Sequence, residues 1–188
     1  EFRLYMVTPK TPERAFPLRV SAAILAALIL FVASAARADI VLNDAAGRQV
    51  LLPEPADHLA LSEADLILSL ALITPDPVAP VAGWGSPHRL DPGIRDAIAA
   101  RFPALTDIPE IGSSTPADYA IESVVAQEPD LVVIRVFDPA WQQIEARLTA
   151  AGIPVIYLDG PQTKDLPPDQ QVAFSLQLLG DAIGAGQA

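Results

Sequence analysis

The chain has 188 residues, a mass of 19.9 kDa and a formal net charge of −11. A pI near 4.4 excludes the basic footprint that nucleic-acid binding requires, and 51% hydrophobic residues exclude a disordered chain. The absence of cysteine removes disulfides, thiol nucleophiles, Cys-ligated zinc, iron–sulfur clusters and a lipid-modified N-terminal Cys.

The first 38 residues read as an address. Arg14 and Arg19 precede an uninterrupted apolar run from Val20 to Ser34, and Ala36-Arg37-Ala38 fits a small-x-small cleavage site. A basic start, a short apolar run and such a site describe a secretory signal peptide. The run is shorter than the roughly 20 residues of a membrane span. Cleavage is expected after Ala38. Arg3, Lys10, Arg14, Arg19 and Arg37 then leave with the peptide, and Lys164 is the only lysine of the mature chain. Export of an acidic, cysteine-free protein points to a bacterial periplasm. No Arg-Arg pair precedes the apolar run, which favours the general secretion route. Met6, the only methionine, is a candidate start. The apolar helical pattern reaching Gln187-Ala188 shows no stop signal, and the chain reads as truncated there.

From Asp39 the pattern alternates strands and helices. Ile40-Val41-Leu42 and Val50-Leu51-Leu52 flank a turn-rich loop and predict a hairpin. Leu59-Ala60-Leu61 is a short strand; Ser62 and Asp65 after it form an approximate capping box for a helix through Ala71. Val78 to Gly83 is the next strand. Asp91-Pro92 pairs an N-cap with Pro at the first helical position and opens a helix to Phe102. Thr115-Pro116 repeats that signal for a helix through Gln127. Leu131-Val132-Val133-Ile134 is a continuous β-branched run, as in parallel strands buried on both faces. Asp138-Pro139 starts a helix that Gly152 ends, Ile153 to Leu158 is a further strand, and Val172, Leu176, Leu179 and Ile183 mark a last amphipathic helix. The fold class is therefore α/β: a Rossmann-like lobe with a parallel sheet, right-handed crossovers and flanking helices.

No nucleotide-binding, hydrolase-elbow or zinc-protease motif occurs. With only His58 and His88, Ser-His-Asp chemistry has little to draw on. His58 reads as a solvated turn residue. Glu63 and Asp65 read as first-turn charges favoured by the helix dipole. No catalytic residue, cofactor or protein-held metal is expected.

In open α/β sheets, ligands bind beyond the carboxyl ends of the strands. Four loops qualify: Ser62-Glu63, Gly83 to Arg89, Gly112 to Thr115, and Arg135 to Asp138. The candidate ligand-binding residues are Ser62, Trp84, Arg89, Ser113, Ser114, Arg135 and Phe137. Guanidinium forks take carboxylate or catecholate oxygens, and aromatics supply flat contact area. That mixture suits a bulky anionic ligand with apolar parts. Each residue also has a plainer reading: Trp84 as a hydrophobic plug, Arg89 as a surface partner of Asp91, Phe137 as core, and the two serines as a precap.

Several segments, in order, resemble one family. Ile40 to Val50 with its Asn43-Asp44-Ala45-Ala46-Gly47-Arg48 turn resembles the family's opening hairpin. Leu59-Ala60-Leu61-Ser62 resembles its first strand and serine. Pro109-Glu110-Ile111-Gly112 before a helix ending Glu128-Pro129-Asp130-Leu131-Val132-Val133 resembles its most characteristic stretch, and Gly152-Ile153-Pro154-Val155-Ile156 its next strand. The family is that of the periplasmic substrate-binding proteins for iron–siderophores, haem and cobalamin. Its members have two α/β lobes joined by one long rigid helix and serve ATP-driven importers. The resemblance implies that residues 39–165 are the N-terminal lobe and that 166–188 begin the interlobe helix, with the second lobe absent. It implies that Glu122 docks onto arginines of the permease, although an ordinary exposed helix charge accounts for it equally. The Gly83-Trp84-Gly85 stretch with Arg89-Leu90-Asp91-Pro92 is most similar to ferric-siderophore members. The expected protein is a monomeric, non-enzymatic solute-binding lobe; haem or cobalamin is the alternative ligand. A secreted α/β hydrolase fragment, relying on His88 or an acid pair, is the rival from another class.

Overall fold

The computed structural model describes residues 39–113 and 115–185. The expected leader (1–38), Ser114 and residues 186–188 lie outside them. Among the described residues, no helix is long and apolar enough to cross a membrane.

Strands β1 (Ile40–Asn43) and β2 (Gln49–Leu52) form the predicted antiparallel hairpin, with Ile40 opposite Leu52 and Asn43 opposite Gln49. The turn is organised by Asp44, whose buried carboxylate accepts the backbone N–H of Ala46 at 3.1 Å and of Arg48 at 2.9 Å. Gly47 completes it at φ 82°, a conformation that other residues adopt at a cost. The Arg48 guanidinium donates through Nε to Asp44 at 3.0 Å, pairs with Glu145 and lies 4.6 Å over the Tyr157 ring. This polar clamp fixes the hairpin to the main sheet.

The main sheet has four parallel strands: β3 (Leu59–Leu61), β4 (Val81–Trp84), β5 (Leu131–Val136) and β6 (Val155–Asp159), in the order β4-β3-β5-β6. Among the described residues, five α-helices flank it: α1 (Leu66–Ile73), α2 (Pro92–Arg101), α3 (Ile121–Val125), α4 (Gln142–Ala150) and α5 (Pro168–Ala182). The continuous apolar runs have the predicted cause. Leu131 and Val133 enter one core with α1 and α5, whereas Val132 and Ile134 enter a second core with α3 and α4. Each such side chain contributes about 1.5–3 kcal/mol by leaving water. At the amino ends, the Asp130 carboxylate accepts from the N–H groups of Asp57 at 2.8 Å and His58 at 3.1 Å. The Asp130 N–H donates to the His58 carbonyl at 3.0 Å, so β3 and β5 enter the sheet as a pair.

Several boundaries differ from the sequence reading. The capping box does not form: α1 begins at Leu66, and Asp65 makes no side-chain capping bond. Its carboxylate turns instead to Arg135, a stronger partner than a neutral N–H. The helix expected from Pro116 to Gln127 breaks into a single turn, Pro116–Asp118, and the short α3. Between them Tyr119 pairs with Gly112 and packs edge-on against Trp141, with ring centroids 5.0 Å apart. Strand β4 starts three residues late because the Asp76 carboxylate caps the N–H groups of Val78 and Ala79 in a turn. The Asp138-Pro139 signal gives one 3-10 turn, Pro139–Trp141, before α4. The last helix has a stop signal after all: it ends at Ala182, and Gly184 adopts φ 72°.

Candidate functional site

The strand order reverses between β3 and β5, because the chain moves outward from β3 to β4 and then returns to the other side. A crevice forms at the carboxyl ends of strands at such a switch point. Here it is a pocket of 270 Å³ lined by Glu63, Ala64, Asp65, Arg89 and Arg135.

Arg135 sits near the end of β5 and reaches across to the loop after β3. Its guanidinium contacts Asp65 directly and lies 3.7 Å from Glu63. The side chains of Arg135, Asp65 and Glu63 are 45%, 38% and 33% exposed. Arg135 also borders a second pocket of 230 Å³ whose lining mixes Leu66, Leu72, Leu158 and Val172 with the polar Asp159 and Gln171. One guanidinium therefore separates a charged recess from one with an apolar wall. That arrangement can seat a solute with polar donors or acceptors at one end and hydrocarbon at the other.

The remaining sequence candidates fall into different places. Trp84 is 3% exposed, and its indole N–H donates to the Ala64 carbonyl at 3.0 Å. The bond ties β4 to Ala64 of the pocket, while the indole itself borders a separate recess of 420 Å³ with Pro87, Arg95, Ala99 and Leu105. Ser62 is buried, and its Oγ has no hydrogen-bond partner. Its carbonyl presses on the next loop: a Cβ at Gly85 would lie 2.3 Å from that oxygen. Only glycine allows the two loops to meet there, with the Gly85 N–H on the Leu61 carbonyl at 2.8 Å. Phe137 is half-buried, edge-on to Tyr157 at 5.2 Å, and packs against the second core. Ser113 Oγ lies 3.0 Å from Thr115 Oγ1 within its own loop, which the Ser86 N–H joins through the Gly112 carbonyl at 3.0 Å. Ser114 lies outside the described residues. The structure thus brings Arg89 and Arg135 into one pocket whose lining includes neither Trp84 nor Ser62.

Sequence reasoning missed Glu63 and Asp65. Read as helix-dipole charges, they are instead the partners of Arg135. A cation at the penultimate position of a buried strand and acids just after the neighbouring strand were the available signal. Glu122 is exposed and accepts from Arg147 at 2.7 Å. Its own backbone N–H and the Arg147 guanidinium hold its carboxyl below the usual carboxylate range.

No protein-family profile and no curated protein sequence matches the chain. Solved structures do. The TroA-like periplasmic binding protein FepB of Veillonella parvula superposes with a TM-score of 0.64 at 26% identity, over 79% of this chain and 43% of that one. The molybdate periplasmic binding protein MolA of Haemophilus influenzae, bound to molybdate, gives 0.60 at 17% identity, over 78% and 47%. The iron-uptake ABC transporter substrate-binding protein PiuA of Streptococcus pneumoniae gives 0.54 at 16%, over 79% and 46%. The chain thus spans less than half the length of each. These neighbours are binding proteins, and the hydrolase reading finds no support among them. With its parallel sheet, its switch-point crevice and these neighbours, the chain has the architecture of a lobe of the TroA-like periplasmic binding proteins of ABC importers.

Proposed function

We propose that this chain is the first lobe of an exported solute-binding protein that captures an iron(III) chelate and delivers it to an inner-membrane ABC permease. The observation that carries the reading is the Arg89–Arg135 pocket at the switch point of a TroA-like sheet. Residues 1–38 serve as the cleaved export leader, 39–165 form the lobe, and the segment from 166 leads toward a second lobe that closes the ligand site. The protein acts in the periplasm as a monomer and performs no covalent chemistry. Iron arrives already chelated and is cargo, so the protein supplies no ligand to it.

Binding follows from the pocket. Arg135 and Arg89 donate to chelate oxygens, with charge-assisted bonds stronger than neutral ones. The wall of Leu66, Leu72 and Val172 in the adjoining recess takes the chelator's hydrocarbon. Glu122, exposed on α3, offers a carboxylate to arginines of the permease. Isothermal titration of the chain with ferric chelates, with haemin and cyanocobalamin as comparisons, tests the reading. One-to-one binding of a ferric chelate, weakened by Arg135→Ala, is the expected result. Preferential binding of haemin or cyanocobalamin would reassign the cargo, and silence toward all three would refute solute capture.

A further inference from the structure

We propose that Asp65 is a specificity-determining residue of this pocket, holding Arg135 and setting the site against polyanionic ligands. The inference rests on the reading of the pocket as the solute contact, and it narrows the ligand class.

Two features of Asp65 carry it. First, it occupies the N-cap position of α1 yet makes no capping bond. A carboxylate at that position ordinarily accepts from first-turn N–H groups. Here that role is given up, and the carboxylate is committed to Arg135 across the sheet. Second, the pair stays open to solvent, with 45% of Arg135 and 38% of Asp65 side chain exposed, so a solute can reach it.

The consequence is one of charge. Glu63 and Asp65 balance Arg89 and Arg135, so the titratable lining has no net formal charge, within a chain of net −11. A polyanion that takes Arg135 away leaves two carboxylates uncompensated beside it, and like charges at this range repel. A neutral chelate faces no such conflict. The guanidinium has five N–H donors in a fixed fork, and Asp65 engages only one of its terminal nitrogens. A hydroxamate or amide oxygen can accept from the others while the ion pair persists. The pocket therefore selects uncharged, hydroxamate-type ferric chelates over trianionic tris-catecholates. The anionic preference expected from the two arginines alone is reversed by the acids that accompany them.

The test uses the chain and two variants, Asp65→Asn and the double variant Asp65→Asn with Arg135→Ala. Each is titrated, by tryptophan fluorescence quenching, with a neutral ferric trishydroxamate and a ferric tris-catecholate. The chain should prefer the hydroxamate by about tenfold or more. Asp65→Asn should tighten the tris-catecholate about fivefold, as expected for loss of a half-exposed pair, with little change for the hydroxamate. The gain should vanish in the double variant. An unchanged preference ratio in Asp65→Asn overturns the proposal. A ligand-free readout separates the latch from the solute reading: phenylglyoxal modification of Arg135, followed by mass spectrometry, should proceed several-fold faster in Asp65→Asn. Equal rates overturn the latch whatever the titrations give. If neither chelate binds any of the three proteins, the solute reading fails and the specificity assignment fails with it, even where the modification rate rises. Because Asp65 caps no helix bond, the Asn variant should keep the circular dichroism of the parent.

Discussion

Asp65 and Arg135, 70 positions apart in the chain, form an ion pair across the carboxyl ends of β3 and β5. The contact crosses the point where the strand order reverses, and it ties the lobe's central strands at the rim of the pocket.

Arg135→Ala should weaken ferric-chelate binding about tenfold, as expected for loss of charge-assisted donors. It also leaves Asp65 and Glu63 without their cation, so the loss should be larger for an anionic chelate than for a neutral one. Titration calorimetry with both probes measures the difference. Equal losses would remove Arg135 from the charge-reading role.

Asp44→Ala should destabilise the fold by about 1–3 kcal/mol, the scale for leaving buried N–H donors without their acceptor, because Glu145 still compensates Arg48. The carboxylate is buried, accepts from two turn N–H groups and from Tyr157 N–H at 3.3 Å, and neutralises Arg48. Burial by itself lowers the Arg48 pKa, yet the bonds to Asp44 and the nearby Glu145 raise it on balance. Urea unfolding of the variant measures the loss. A change under about 1 kcal/mol would show that the hairpin is held by apolar contacts instead.

Gly85→Ala should cost about 1–3 kcal/mol, the usual scale for overpacking, and should also lower chelate affinity. The added Cβ meets the Ser62 carbonyl at 2.3 Å, so the loops after β3 and β4 must part. Thermal denaturation and titration of the same variant check both effects together; loss of stability with intact affinity would mean the pocket does not depend on that loop contact.

Tyr119 and Tyr157 both have pKa values raised above the ordinary 10.0, by burial first and, for Tyr157, by Glu145 second. The fold favours their neutral phenols. Their contribution to stability is therefore complete below pH 10 and is lost as the pH rises above it, because the unfolded chain then releases protons that the folded chain keeps. Alkaline titration followed by phenolate absorbance should show both tyrosines ionising with unfolding. Ionisation of either one near pH 10 in the folded protein would contradict this.

Glu122→Gln should leave chelate binding unchanged and reduce stimulation of the permease ATPase. Its partner Arg147 is on α4, and Arg147→Ala should not reproduce the defect. Equal defects would make the Glu122–Arg147 pair, and not the carboxylate alone, the functional unit.

Much of the architecture is legible in the sequence because the signals are local. The Leu131 to Ile134 run reads as a doubly buried strand, Asp91-Pro92 reads as a capped helix start and caps the N–H groups of Gly93 and Ile94 as expected, and the Asn43 to Arg48 turn reads as a hairpin. The misread elements depend on distant partners. Pro116 cannot announce that Tyr119 will be drawn against Trp141, and Asp65 looks like a helix-start charge until Arg135 is placed beside it. The pocket is legible only in outline: topology locates the rim, but only tertiary packing decides that Arg89 and Arg135 share one lining while Trp84 borders a different recess. Nothing local in Gly83-Trp84-Gly85 reveals that the indole N–H finds the Ala64 carbonyl.

The solute is proposed to rest in the switch-point pocket. Crystals of the chain grown with a neutral ferric trishydroxamate and measured at the iron absorption edge would locate it. An anomalous iron peak beside Glu63, Asp65, Arg89 and Arg135 is the predicted result. A peak elsewhere on the lobe, or no peak at a saturating chelate concentration, would contradict it.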